Sequence, residues 1–291
     1  MKRILIISDG KQGHLNQSIA FCKIKKISYD ILEIKFCSKL AKFFSYGFEK
    51  VSFYTDDLYL KHKKINYEFY DAIIGAGSTT YYFIKYVSKK YQIKSIALMF
   101  PKSYSYKDFD YIIAQSHDNP PKLDNIIEIP LNLSYSTPKN IIKKEDNKKA
   151  LGVIIGGDNN IFKMGIGHIK NSLDEIFEKY PNHLKYITTS RRTPMKIENL
   201  IESYDFDYKL IFSKEPNINP IPDFLVLCEE LYITIDSTSM LSESKANSDA
   251  KINIIDLKSK KSDTKYHRLA NIVENTKEKI DFEKLLERVK I

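Results

Sequence analysis

Short apolar, β-branched runs alternate with longer stretches whose apolar positions recur at helical spacing, from one end of the chain to the other. Residues 4–7, 29–34, 72–74, 95–100, 111–114 and 126–129 form a first set of expected strands, with helical segments such as 17–26 and 80–91 between them. That alternation predicts an α/β fold whose sheet carries helices on both faces. Pro130, the stretch SYSTPKN and the charged run 143–149 then interrupt the pattern and read as an interdomain linker. A second set of runs follows at 151–155, 184–188, 209–212, 231–235 and 252–255. The expected organisation is two doubly wound domains, residues 1–138 and 148–262, with a charged helical tail, 263–291, expected to pack back across them.

Composition narrows the setting. A hydrophobic share of 43% over 291 residues supplies two packed cores. Cys22, Cys37 and Cys228 show neither paired nor metal-ligand spacing, which points to a reducing cytoplasm and no disulfide framework. The N-terminal apolar run is too short for a signal peptide and reads as a first buried strand. No stretch approaches the roughly 20 apolar residues of a membrane span. The net charge of +9 favours anionic partners. Lysine is abundant together with Ile, Asn and Tyr, as AT-rich codons would give, so the charge does not choose a partner. No nucleic-acid-binding module is recognisable, and nucleic acid is set aside.

Ligands of open α/β sheets bind beyond the carboxyl ends of the strands, so those loops carry the candidate chemistry. After the first strand comes SDGKQGHLNQ, with Asp9, Gly13 and His14, feeding a helix expected near Asn16. A neutral imidazole can accept a proton from a sugar hydroxyl, and Asp9 can orient it or act as base itself. A loop in which Asp9 only caps a turn and His14 is merely exposed is the plainer explanation. Gly77 and Ser78 follow the third strand and can line a ligand, or only allow tight helix packing. His117, beside Asp118 after the fifth strand, is a second acid–base candidate against a plain capped turn.

In the second half, Gly156 and Gly157 remove side chains where a ligand or the other domain must approach. Arg191 and Arg192 follow another strand among hydroxyls and suit a diphosphate, or form only a solvated basic turn. The stretch LYITIDSTSMLSESKA, residues 231–246, reads as strand, small-residue turn and helix start. Such a turn is either a phosphate cradle, with Ser237 and Ser239 near the positive end of the helix dipole, or an ordinary cap. Asp236 reads as the hinge of that turn. Glu243, one turn on, can accept ribose hydroxyls or simply complement the dipole. Finally, the stretch from Phe36 to Lys61 mixes lysines with aromatics, as an anionic membrane surface requires, or as a core-packed helix with outward lysines would show.

Taken in order, SDGKQGHLNQS, GAGSTT, LMFPKSYSYKDFDYIIAQSHD, GG, TSRRTP and TIDSTSMLSE resemble the mitochondrial-fission ELM-type family of bacteria and plants. The resemblance runs from Ile4 to about Arg268 and includes KYHRL. TSRRTP and DSTSMLSE are its most specific parts. It implies a GT-B architecture, two Rossmann-like domains facing a central cleft, with a nucleotide-sugar donor on the C-terminal domain and an acceptor on the N-terminal one. No metal or other cofactor is implied. By position, Arg191, Arg192, Ser237, Ser239 and Met240 would surround the donor diphosphate and Glu243 the ribose, while Asp9 and His14 would face the acceptor. The chain departs from many relatives at Ser78-Thr79-Thr80 and Asp158-Asn159-Asn160, where they carry more basic loops. That bears on the sugar and acceptor more than on the fold.

The resulting expectation is an inverting, metal-independent glycosyltransferase acting on a cell-surface glycan or lipid-linked acceptor such as a lipooligosaccharide core. Its place is the cytoplasm or the inner face of the cytoplasmic membrane. The alternative is a non-catalytic interaction protein that keeps the GT-B fold, as plant relatives are thought to be.

Overall fold

A computed structural model describes residues 2–143, 147–261, 263–276 and 278–291; part of the charged run 143–149 lies outside them. The chain divides into two compact units. Residues up to Tyr135 together with Asp281–Ile291 form one, and Ser136–Ile280 the other.

The first unit is a six-stranded parallel sheet. Its strands are β1 (Arg3–Ser8), β2 (Ser28–Glu33), β3 (Ala72–Ala76), β4 (Lys94–Leu98), β5 (Tyr111–Gln115) and β6 (Ile126–Ile129), in the order β2-β1-β3-β4-β5-β6. The inner strands are almost wholly buried, as parallel strands covered on both faces must be, whereas edge strand β2 is half open. Helices α1 (Gln12–Ile24), α2 (Lys39–Lys50) and α3 (Tyr81–Tyr91) cover it. Its core gathers Leu5, Ile7, Ile73, Phe83, Ile84 and Ile112. A fully buried lysine, Lys85 of α3, sits in this core against Glu49 of α2 and donates to the Ser105 carbonyl at 2.8 Å.

The second unit is a five-stranded parallel sheet of β7 (Ala150–Ile155), β8 (Leu184–Thr189), β9 (Tyr208–Leu210), β10 (Glu230–Thr234) and β11 (Lys251–Ile255), ordered β11-β10-β7-β8-β9. Helices α4 (Ile166–Lys179), α5 (Met195–Glu202), α6 (Ile221–Leu227), α7 (Thr238–Asn247) and α8 (Lys265–Asn275) accompany it. The stretch that enters this unit is tied to it by one side chain. Asp223 of α6 accepts the backbone N–H groups of Lys139, Asn140, Ile141 and Ile142 at 2.5–3.1 Å. Burial raises this carboxyl, and the four N–H groups outweigh it, so the group sits below its ordinary range. A short helix α9 (Phe282–Leu285) closes the chain back in the first unit.

In each sheet the strand order reverses once, between β1 and β3 and between β7 and β10. At such a reversal the loops splay to opposite faces and leave a crevice beyond the strands' carboxyl ends.

Candidate active site

In the first unit the reversal brings the β1–α1 loop against the β3–α3 loop. Helix α1 begins at Gln12, a turn earlier than the apolar spacing suggests, because residues 12–16 carry few apolar positions to reveal it. His14 therefore stands in the first helical turn and not in a loop. From there its Nδ1 reaches both oxygens of Asp9, at 3.1 and 3.0 Å. The Asp9 side chain is 2% exposed and that of His14 22%, so the carboxylate is enclosed while the imidazole keeps an open edge. Lys11 adds its Nζ to Asp9 at 3.3 Å. Burial works to raise the Asp9 carboxyl; the hydrogen bond and charge of His14, then Lys11, outweigh it and hold the group below its usual value. Asp9 is thus an ionised orienter of the imidazole. The His14 Nε2 has no partner among the described residues.

Gly77 permits this arrangement. Its φ is +90°, and a Cβ there would run into the His14 ring and come within 3.3 Å of Asp9. Its N–H donates to Tyr81 Oη at 3.0 Å, and that hydroxyl donates to the Leu98 carbonyl at 2.9 Å. Ser78 accepts Lys42 Nζ at 2.8 Å through its hydroxyl, and its carbonyl accepts Tyr104 Oη at 3.2 Å. Gly77→Ala is expected to displace the imidazole and to add about 1–2 kcal/mol of left-handed strain. Thermal melting, with a pH titration of His14 by NMR, reads both effects; an unchanged melt and an unchanged imidazole signal would contradict this geometry.

Two first-unit candidates are not brought to this point. Gly13 lies exposed on α1 with open space where a Cβ would go, so no close approach demands glycine there. His117 sits half-buried in a short 3₁₀ turn after β5, a strand that β4 separates from β3, and its neighbour Asp118 pairs with Lys102 at 2.8 Å.

In the second unit, Gly156 and Gly157 follow β7 and Asp236 follows β10, across the reversal. The Gly157 N–H donates to Asp236 Oδ2 at 2.8 Å, and the Gly156 N–H to Thr234 Oγ1 at 2.7 Å. A Cβ on Gly156 would collide with the Asp236 carboxylate and one on Gly157 with the Arg192 backbone, so the pair is there for close approach. Arg192 completes the knot. Its Nη2 pairs with Asp236 Oδ2 at 2.7 Å, and its Nη1 donates to the carbonyls of Gly157 and Asp158 at 3.1 and 3.2 Å. The sequence reading placed Arg192 on a diphosphate; the structure spends two of its nitrogens on the loops instead. Arg191 is exposed and has no polar partner among the described residues.

Helix α7 starts directly after this knot. Ser237 is its N-cap, accepting the Met240 N–H at 3.3 Å, so its hydroxyl serves as an ordinary helix cap. Ser239 is exposed and Met240 half-buried at the same helix end. Glu243 is half-buried, and burial pushes its carboxyl above the ordinary range against the opposing charge of Lys139. Lys11, Tyr81, Thr193 and Thr234 are functional positions that the sequence does not single out. Lys11 pairs with Asp9, Tyr81 holds Gly77, Thr193 accepts the Ser190 N–H and donates to the Gly156 carbonyl, and Thr234 accepts the Gly156 N–H; no spacing along the chain announces such contacts.

A family model described as mitochondrial fission ELM1 matches residues 12–290. No curated protein matches the sequence. Among solved structures, a Listeria monocytogenes protein described as a UDP-N-acetylglucosamine 2-epimerase superposes with a TM-score of 0.54 at 10% identity, covering 93% of this chain and 82% of that one. MurG of Acinetobacter baumannii gives a TM-score of 0.50 at 10% identity, covering 94% and 84%. At such identity the likeness establishes the fold, a GT-B-like pair of Rossmann-like α/β units, and nothing finer.

Proposed function

The chain belongs to the mitochondrial fission ELM1 family, and from that premise we propose that it is a glycosyltransferase with a nucleotide-sugar donor. The acceptor is a glycan or lipid-linked glycan such as a lipooligosaccharide core. The observation that carries the reading is the Asp9–His14–Gly77 cluster, an imidazole oriented through Nδ1 with Nε2 open, placed at a sheet's reversal point. In the proposed step, Nε2 takes the proton of the acceptor hydroxyl while its oxygen attacks the anomeric carbon of the donor. The bond from that carbon to the diphosphate breaks, the nucleoside diphosphate leaves with the electron pair, and the sugar inverts.

The second unit holds the donor. Exposed Arg191 and the free N–H groups of Thr238 and Ser239 at the start of α7 meet the departing diphosphate. Arg192 positions them by fastening the loops around Asp236, and Glu243 accepts from the ribose. These groups supply the positive charge without a metal or organic cofactor. The cytoplasm is the proposed location, consistent with three free cysteines. Among the described residues no helix is long and apolar enough to cross a membrane.

A thermal-shift panel of UDP, GDP, CMP and their sugars tests donor binding. A ligand at 100 times its Kd stabilises by about 2.7 kcal/mol, so one class of nucleotide is expected to raise the melting point clearly. Silence across the panel would instead favour a non-catalytic interaction protein that keeps the fold.

A further inference from the structure

Helix α2 buries two polar side chains and leaves three large apolar ones in the open. Beside the half-buried Tyr46 and Phe48, which pack on the core, its buried positions are Ala41, Ser45 and Glu49, of which Ser45 shares a hydrogen bond of 2.9 Å with Tyr104 and Glu49 pairs with buried Lys85 and accepts the Ser105 N–H at 2.7 Å. Its outward face carries Leu40, Phe43 and Phe44, which are 68%, 70% and 51% exposed, continuing into Val51 and Phe53 at 74% and 52%. A helix facing water shows the opposite pattern. The exposed rings are also joined: Phe43 and Phe44 lie 6.4 Å apart between centroids, and half-buried Phe48, which packs on the core, bridges Phe44 at 6.1 Å to Phe53 at 5.1 Å. Single exposed apolar residues are ordinary, but a contiguous patch marks an interaction surface.

Charge identifies the occupant. Exposed Lys39 and Lys50 end the helix, and its one acid, Glu49, is turned inward. Exposed Lys61 and Lys64 follow in the next segment, against the acids Asp56 and Asp57. A second copy of the chain would set lysine against lysine across the contact, whereas an anionic bilayer meets the lysines with phosphates and the rings with acyl chain. Phe36, which the sequence reading included, is buried against Tyr59 at 4.3 Å between centroids and takes no part.

We infer that α2 is a membrane-docking helix that lies in the headgroup region of an anionic bilayer through Leu40, Phe43, Phe44, Val51 and Phe53. Lys42 of this helix holds Ser78, the neighbour of Gly77, so docking sets the Asp9–His14 cluster beside the bilayer. On the acceptor-side reading above, on which this last consequence rests, a lipid-linked acceptor reaches His14 from the membrane surface.

Flotation of the full chain with vesicles of phosphatidylcholine, alone or mixed with phosphatidylglycerol, tests the inference. Binding is expected to the mixed vesicles and to weaken with salt. Phe43→Ser with Phe44→Ser is expected to lower partition by about tenfold per ring, while Lys39→Glu with Lys50→Glu removes the dependence on phosphatidylglycerol. All four side chains are exposed, and far-UV circular dichroism verifies that the variants fold. His14→Gln must float like the parent, so a failure of the catalytic reading leaves this result standing. Absence of the parent from the vesicle fraction, or equal flotation of parent and double-Ser variant, would overturn the inference. So would a dimer in sedimentation that the same variant dissolves, because the patch would then be covered by a second copy.

Discussion

His14→Gln is expected to lower turnover by about a hundred- to ten-thousand-fold, the range that a positioned general base contributes. Glutamine keeps a polar side chain at the site but cannot take the acceptor's proton. Because Nε2 is offered to the acceptor hydroxyl only as that proton leaves, the loss should fall on kcat, with little change in KM for the donor. Asp9→Asn should cost nearly as much, since an amide no longer holds the imidazole with Nδ1 protonated and Nε2 free. The two changes together should add little to either alone, because both residues serve one proton transfer. Asp9→Asn has a second signature in stability. The folded carboxyl lies below its unfolded value, so the unfolded chain binds more protons in acid. The stabilisation from Asp9 is therefore present above the unfolded value and is lost as pH falls through the folded one. Urea unfolding across acidic pH should be flatter for Asp9→Asn than for the parent; identical slopes would contradict the pairing with His14.

The adjacent arginines are expected to separate cleanly. Arg192→Ala leaves the Asp236 carboxylate, whose side chain is 0% exposed, without its cation. Breaking such a pair costs about 3–5 kcal/mol when both partners are buried, and about 3 kcal/mol is expected here because the guanidinium is a third exposed. The carbonyls of Gly157 and Asp158 lose their donors as well, so the β7 loop loosens with the β10 loop. Arg191→Ala should leave stability within about 0.5 kcal/mol, as for other exposed substitutions. On the proposed role it should nonetheless raise the barrier to transfer by about 3–4 kcal/mol, the cost of removing one donor from developing negative charge. Chemical denaturation and turnover of the two single variants measure the split. A stable Arg192→Ala protein would show that the Asp236 knot contributes nothing. An Arg191→Ala variant as active as the parent would remove that arginine from the donor site.

Every expected strand is present within a few residues, because a parallel sheet buried on both faces needs continuous apolar runs and such runs stand out in a sequence. The family resemblance, expected from TSRRTP and TIDSTSMLSE, agrees with the match over residues 12–290. Polar positions were harder to read. Nothing in the chain indicates that α1 opens at Gln12, which is what turns His14 back onto Asp9. Arg191 and Arg192 look alike in sequence; one is exposed and the other fastened, a difference set by a partner 44 residues away at Asp236. Glu49 reads as one more surface charge on a basic helix until Lys85 meets it from α3. Periodicity reports where the apolar positions of an element recur, and α2 shows that not all of them turn inward.

Sugar transfer itself is the most direct measurement. Lipid-linked glycans extracted from the source cell's membranes, the nucleotide-sugar selected by thermal shift, and the full-length chain should release nucleoside diphosphate at a rate that depends on the acceptor. That rate should fall by at least about a hundredfold in His14→Gln. Acceptor-dependent release at the same rate by parent and variant, or none by the parent above the enzyme-free background with any donor, would contradict the account.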